Sequence, residues 1–181
     1  MRLDRKKFAY TAVGFAAVAF GFVATSFGDR IDVSTVKHQV QATPETTPAA
    51  LRFVIEAKNH CEGKAGEHAG DVTCSTGVYD SGIGLRNEHI RQYIESQKFP
   101  TSRLVYTATQ GVMSGSLTFH GVTTEVTGTV SVQDGQLVIL FDLDLSKHGV
   151  EVKKYLGIGI EPVLKIRAAM GDQVLPTGDR I

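Results

Sequence analysis

The sequence predicts an all-β, antiparallel barrel of about eight strands with one short helix, following an N-terminal export or anchor segment. Three observations predict it: apolar residues alternate with polar ones through consecutive short segments, turn dipeptides separate several of them, and a charge-free stretch follows a basic N-terminus. With 19 Lys+Arg against 19 Asp+Glu in 181 residues, no basic excess marks a nucleic-acid binder. Two cysteines are too few for a disulfide-dense scaffold or an iron–sulfur ferredoxin.

In chain order, Arg2, Arg5, Lys6 and Lys7 precede an uncharged run from Phe8 to Gly28. This is the form of a signal peptide, with Ala24 and Ser26 as the small residues before a cut. The rival reading is an uncleaved membrane tether through residues 8–27, long enough to cross a bilayer. Both readings of residues 1–28 place the remainder outside the cytoplasm, in the periplasm of a bacterium. Removing residues 1–26 leaves 15 basic against 18 acidic residues, a mildly acidic remainder. Residues 29–48, with Thr43-Pro44-Glu45-Thr46-Thr47-Pro48, read as a spacer with one possible short strand at Val33–Val40. The barrel domain is then expected over residues 49–181.

Within it, Leu51, Phe53, Ile55 and Ala57 alternate with Arg52, Val54, Glu56 and Lys58, a period-2 strand. Asn59–Gly70 is rich in charge and Gly and reads as a loop, with Val72–Val78 as the returning strand. A helix is expected over Asn87–Gln97, with Asn87 as N-cap and Ile90, Tyr93, Ile94 and Gln97 on one face. The Phe99-Pro100 step ends it. Arg103–Thr109 and Val112–Phe119 form a hairpin around Gln110-Gly111. In the next strand Val122, Val126, Val130 and Val132 share one parity with Thr124 and Gly128, opposite Thr123, Glu125, Thr127, Thr129 and Ser131. Asp134-Gly135 is a hairpin signal. Leu137, Ile139, Phe141, Leu143 and Leu145 then face Asp142 and Asp144 across the next strand. The last strand, Val163–Ala169, alternates Leu164, Ile166 and Ala168 with Lys165 and Arg167.

Motifs for chemistry are mostly missing. Gly82-Ile83-Gly84 and Gly157-Ile158-Gly159 lack the third glycine of a dinucleotide fingerprint. Cys61 and Cys74 are disulfide candidates in an oxidising compartment. Their alternatives are free thiols or a metal site with His60 and His68, whose spacing matches no common zinc pattern. His89, His120 and His148, like Asp142 and Asp144, have no catalytic partner fixed by spacing. No catalytic residue, metal or cofactor is therefore assigned. Alternation alone does not distinguish a barrel filled by its own side chains from one with room inside.

The run Gly84-Leu85-Arg86-Asn87-Glu88-His89-Ile90, then Lys98-Phe99-Pro100-Thr101, resembles the YceI family. So does Gly115-Ser116-Leu117-Thr118-Phe119-His120-Gly121-Val122-Thr123, followed in order by Lys147-His148-Gly149, Tyr155-Leu156-Gly157 and Lys165-Ile166-Arg167. The likeness spans about residues 50–170, and Asn87 stands where the family usually has Asp. The resemblance implies a lipocalin-like barrel that binds a polyisoprenoid or related lipid, such as a quinone, without covalent chemistry. It makes the inward-parity positions Met113, Leu117, Phe119, Val126, Val130, Leu137, Ile139, Phe141 and Leu143 the candidate ligand contacts. Arg86, His89 and Tyr93 would rim the mouth or serve as a lid. The alternatives are an extracytoplasmic interaction domain with a filled barrel, or an enzyme using a histidine at the mouth.

Overall fold

The computed structural model describes residues 30–47, 53–152 and 159–171. The expected leader or anchor lies outside these residues, as do Leu51, Arg52 and Tyr155–Gly157. The strands are β1 (Ile31–Asp32), β2 (Lys37–Thr47), β3 (Ile55–Ala57), β4 (Cys61–Ala65), β5 (Ala69–Ser75) and β6 (Tyr79–Asp80). A helix, α1 (Gly84–Tyr93), precedes β7 (Thr101–Thr109), β8 (Val112–Phe119), β9 (Val122–Gln133), β10 (Gln136–Asp144) and β11 (Gly159–Gly171). Every pairing is antiparallel, in the order β1-β4-β5-β7-β8-β9-β10-β11-β2-β3-β6.

These pieces join into eight continuous staves. Chain continuity carries β1 into β2 through the 3-10 turn Val33–Thr35, β3 into β4 and β5 into β6, and the ladder between the last two staves persists across their join. Lys58 N–H donates to the Val78 carbonyl at 3.0 Å, and Ser75 N–H to the His60 carbonyl at 2.8 Å. Because β3 pairs with β2 and β5 with β7, this long hairpin closes the ring. Ala57 faces Tyr79 and Cys61 faces Cys74, so four steps on one strand match five on the other. The extra residue is a bulge, which bends a strand and changes which side chains face in. An eight-strand ring is the size at which a barrel interior can hold one small ligand.

Three two-residue turns drive the meander. Gln110-Gly111, His120-Gly121 and Asp134-Gly135 all have positive φ at both positions, between 49° and 79°. Such turns match the right-handed twist of the strands they join. The nine inward-parity positions expected on β8, β9 and β10 do face the core, with all but the half-buried Phe141 buried.

Several local expectations are corrected. Residues 37–47 form a full strand between β11 and β3, so this part of the expected spacer belongs to the sheet. Its cavity-lining residues are His38, Val40 and Ala42, too weakly apolar to declare a strand; two neighbouring ladders hold it. Pro44 falls beside the register shift between Ile160 and Leu164, where a residue without N–H is tolerated. The expected loop Asn59–Gly70 contains β4, whose exposed Glu62, Gly63 and Lys64 hide the buried ends Cys61 and Ala65. The helix begins at Gly84, three residues earlier than expected. Asn87 is inside it, and its Oδ1 instead accepts from Ser81 N–H at 2.8 Å and Ser81 Oγ–H at 2.7 Å.

Tyr106 anchors the β4–β5 turn. Its hydroxyl donates to the Gly66 carbonyl at 2.7 Å and accepts from Gly66 N–H at 3.3 Å. The ring lies across Gly70, where an added Cβ would sit 2.3 Å from it, so this position requires glycine. At one end of the barrel Val33 is fully buried against the core. At the other end sit α1 and the short 3-10 turn Leu145–His148.

Candidate functional site

Inside the barrel is a cavity of about 190 Å³. Its walls come from β2, β3, β4, β5, β6, β7, β8, β10 and β11, and its end from Ile90, Tyr93 and Ile94 of the helical segment. Tyr93 lines the cavity yet is 40% exposed, which places an opening beside α1. No Lys, Arg, Asp or Glu is among the described lining residues. The polar members are His38, Asn59, Tyr79, Tyr93 and Ser102, set among aliphatic side chains.

Five of the nine inward candidates, Leu117, Phe119, Ile139, Phe141 and Leu143, form part of this wall. Met113, Val126, Val130 and Leu137 do not; they are buried in the packed core that includes Tyr106 and Ala108. Of the three rim candidates, Tyr93 lines the cavity. The Arg86 guanidinium stacks 3.9 Å over the Phe53 ring and donates to the Ser81 carbonyl, securing the start of α1. His89 is exposed, its ring centroid 6.3 Å from that of Tyr93. The alternation of β8 and β10 revealed their share of the wall. The contribution of β2 and of the β3–β6 hairpin was missed, because its alanines, Asn59 and Tyr79 carry little apolar signal.

Cys61 and Cys74 form a disulfide on the cavity wall. This removes the thiolates that a metal site with His60 and His68 would need. Among the described residues, no group of three or more His, Cys, Asp or Glu side chains could hold a metal.

The bulged hairpin brings Asn59 and Tyr79 together. Inward alternation runs unbroken through Ile55, Ala57, Asn59 and Cys61, but on the facing strand it slips from Val72 and Cys74 to Tyr79. Burial pushes the Tyr79 phenol up to about 12, partly offset by a hydrogen bond from the Asn59 side chain. His38 Nε2 lies 2.9 Å from the Asn59 carbonyl, holding this backbone in place.

The raised phenol gives a stability prediction. The unfolded chain releases the Tyr79 proton near the ordinary value of 10, whereas the folded one retains it to about 12. The contribution is therefore complete below pH 10 and is lost as pH rises toward 12, by about 1.4 kcal/mol per unit. Tyr79→Phe should flatten the alkaline decline in unfolding free energy across that window. An equally steep decline in the variant would contradict the assignment.

The remaining histidines staple the lid end. His120 lies between a Glu95 carboxylate oxygen (Nε2, 3.0 Å) and the His148 carbonyl (Nδ1, 2.9 Å), with Phe99 at 4.2 Å between ring centroids. His148 is buried; its Nδ1–H faces the Phe119 and Val122 carbonyls, and the Thr124 hydroxyl donates to its Nε2 at 3.0 Å. Asp144 caps the 3-10 turn by accepting from Ser146, which lowers its carboxyl below the ordinary range. Asp142 is exposed on the outer face. These groups tie backbone segments together, and the histidines and aspartates just described do not line the cavity.

A family model described as "YceI-like domain" matches residues 11–174. The structure of BcnA from Burkholderia cenocepacia is similar, with 16% identity, a TM-score of 0.56, and coverage of 74% of this chain and 94% of that one. A second similar structure is a polyisoprenoid binding domain from Saccharophagus degradans, described as implicated in plant cell wall breakdown. It has 10% identity, a TM-score of 0.54, and coverage of 78% of this chain and 95% of that one. At such identities the likeness is one of fold. Curated proteins yield no match.

Proposed function

Because the chain belongs to the YceI-like domain family, we propose that it binds and carries, or sequesters, an isoprenoid or similar amphiphilic lipid inside its barrel, outside the cytoplasm. The observation that carries this reading is the cavity of about 190 Å³ with aliphatic walls and no formal acid or guanidinium and ammonium groups among its described lining. The polyisoprenoid binding of the Saccharophagus degradans domain supports the same ligand class. The basic N-terminus and uncharged Phe8–Gly28 support export, by a cleaved signal or a retained tether.

The chemistry is transfer of hydrocarbon from water, about 0.8 kcal/mol per methylene buried, opposed by the entropy of ordering a flexible tail. An apolar cavity of about 150 Å³ suffices for benzene. On that scale this interior takes about one or two isoprene units, and a longer chain continues through the opening beside Tyr93. Positioned groups for bond making are lacking in the described lining, so the proposed role is binding without covalent change.

Organic extraction of the full chain purified from a periplasmic or membrane fraction, followed by mass spectrometry, should yield an isoprenoid-type amphiphile. Added long-chain quinone at a hundredfold excess over Kd should raise stability by about 2.7 kcal/mol. If nothing apolar is extracted and the quinone leaves the thermal midpoint unmoved, the carrier reading is wrong.

A further inference from the structure

Among the described residues, three buried side-chain polar atoms lack a hydrogen-bond partner: Gln39 Oε1, Asn59 Oδ1 and Arg167 Nη1. Asn59 alone of these three residues lines the cavity. Tyr79 lines the same wall, its phenol influenced by the neighbouring Asn59 side chain, and its hydroxyl is a donor. The cavity wall thus presents one acceptor and one donor side by side, in surroundings that otherwise offer chiefly hydrocarbon.

From this pair we infer that the cavity selects an amphiphile by an uncharged hydroxyl head group, with Asn59 Oδ1 accepting its proton and the Tyr79 hydroxyl donating to its oxygen. This inference rests on the carrier reading and adds the head-group class to it. A hydroxyl is complementary because it is both donor and acceptor, as the wall is. An ether accepts from Tyr79 but leaves Asn59 Oδ1 buried and unpaired, which is costly where water is displaced. A phosphate would bring negative charge into a space whose described lining has no Lys or Arg. His38 is the one ionisable nitrogen group there, and its Nε2 is directed at the Asn59 carbonyl. Ser102 also faces inward, but its hydroxyl donates to the Cys74 carbonyl at 3.4 Å.

The test compares farnesol, farnesyl methyl ether and farnesyl monophosphate as probes of the full chain by calorimetric titration. The alcohol should bind about tenfold more tightly than the ether, the scale set by one buried acceptor left unpaired. It should exceed the monophosphate by at least as much. Asn59→Leu should bring alcohol and ether to equal affinity, and Tyr79→Phe, which keeps the ring, should weaken the alcohol without favouring the ether. A monophosphate that binds as well as the alcohol would overturn the head-group assignment, as would an alcohol preference that survives both substitutions. If binding occurs with no preference among the three, the carrier reading stands and the assignment fails. If none of the three binds, both fail.

Discussion

Replacing Ala57 with Phe should weaken isoprenoid binding about a hundredfold while leaving the barrel folded. Ala57 is on β3 with its side chain at the cavity wall, and its backbone is held by ladders to both β2 and β6. A ring at this position occupies space that about four methylenes of ligand would fill. At about 0.8 kcal/mol each, their loss amounts to roughly 3 kcal/mol, or two orders of magnitude in Kd. Because the ring enters existing space and not a filled core, the usual overpacking cost is largely avoided. Val105→Phe is the matched control: Val105 is 38% exposed on the barrel and absent from the cavity wall. Calorimetric titration with farnesol reads the outcome. Unchanged affinity in a folded Ala57→Phe protein would mean that the ligand binds elsewhere.

Removing the Cys61–Cys74 disulfide should cost about 3 kcal/mol, the scale for a closed loop of this size. The two residues are 13 apart in sequence and face each other across β4 and β5. For a domain of this length that corresponds to a fall of about 6–12 °C in thermal midpoint. The bond also lies two residues from Asn59, beside the bulge that turns Tyr79 inward, so its loss should loosen the cavity wall where the hairpin closes the ring. Unfolding of Cys61→Ala/Cys74→Ala, compared with the oxidised parent, gives the measurement. Coincident midpoints would show that the ladder alone holds the hairpin.

Strand identity was most legible where inward residues are large. β8 and β10 announce themselves through Leu117, Phe119, Leu137, Ile139 and Leu143, and the glycine-containing turns follow from simple backbone geometry. β2 was obscured by a run of Thr, Pro and Glu, and β4 by three exposed polar or glycine positions between its buried ends. The helix was recognised from Ile90, Tyr93 and Ile94, but its start was misplaced. Asn87, a natural capping residue, is used three residues further on to hold Ser81.

The candidate site divides in the same way. Periodicity puts Met113, Val126, Val130 and Leu137 on the inner face with Leu117, Phe119, Ile139, Phe141 and Leu143. It assigns no distance across the barrel, so it does not separate packed residues from cavity-lining ones. That difference depends on which staves stand opposite one another. Asn59 and Tyr79 meet only because one extra residue shifts the register of a bent hairpin, and the pairing of Cys61 with Cys74 follows from the same ladder.

Local alternation and turn chemistry were therefore enough to specify an antiparallel barrel and its inner face, while the family followed from the likeness of whole runs such as Gly84–Ile90 and Gly115–Thr123. Alternation and turn chemistry act between residues near in sequence, through side-chain parity and backbone dihedral preference. The volume left inside, the opening beside Tyr93 and the polar pair on the wall emerged only from closure of the ring. They depend on contacts between distant strands, which a one-residue bulge redirects without leaving a periodic trace.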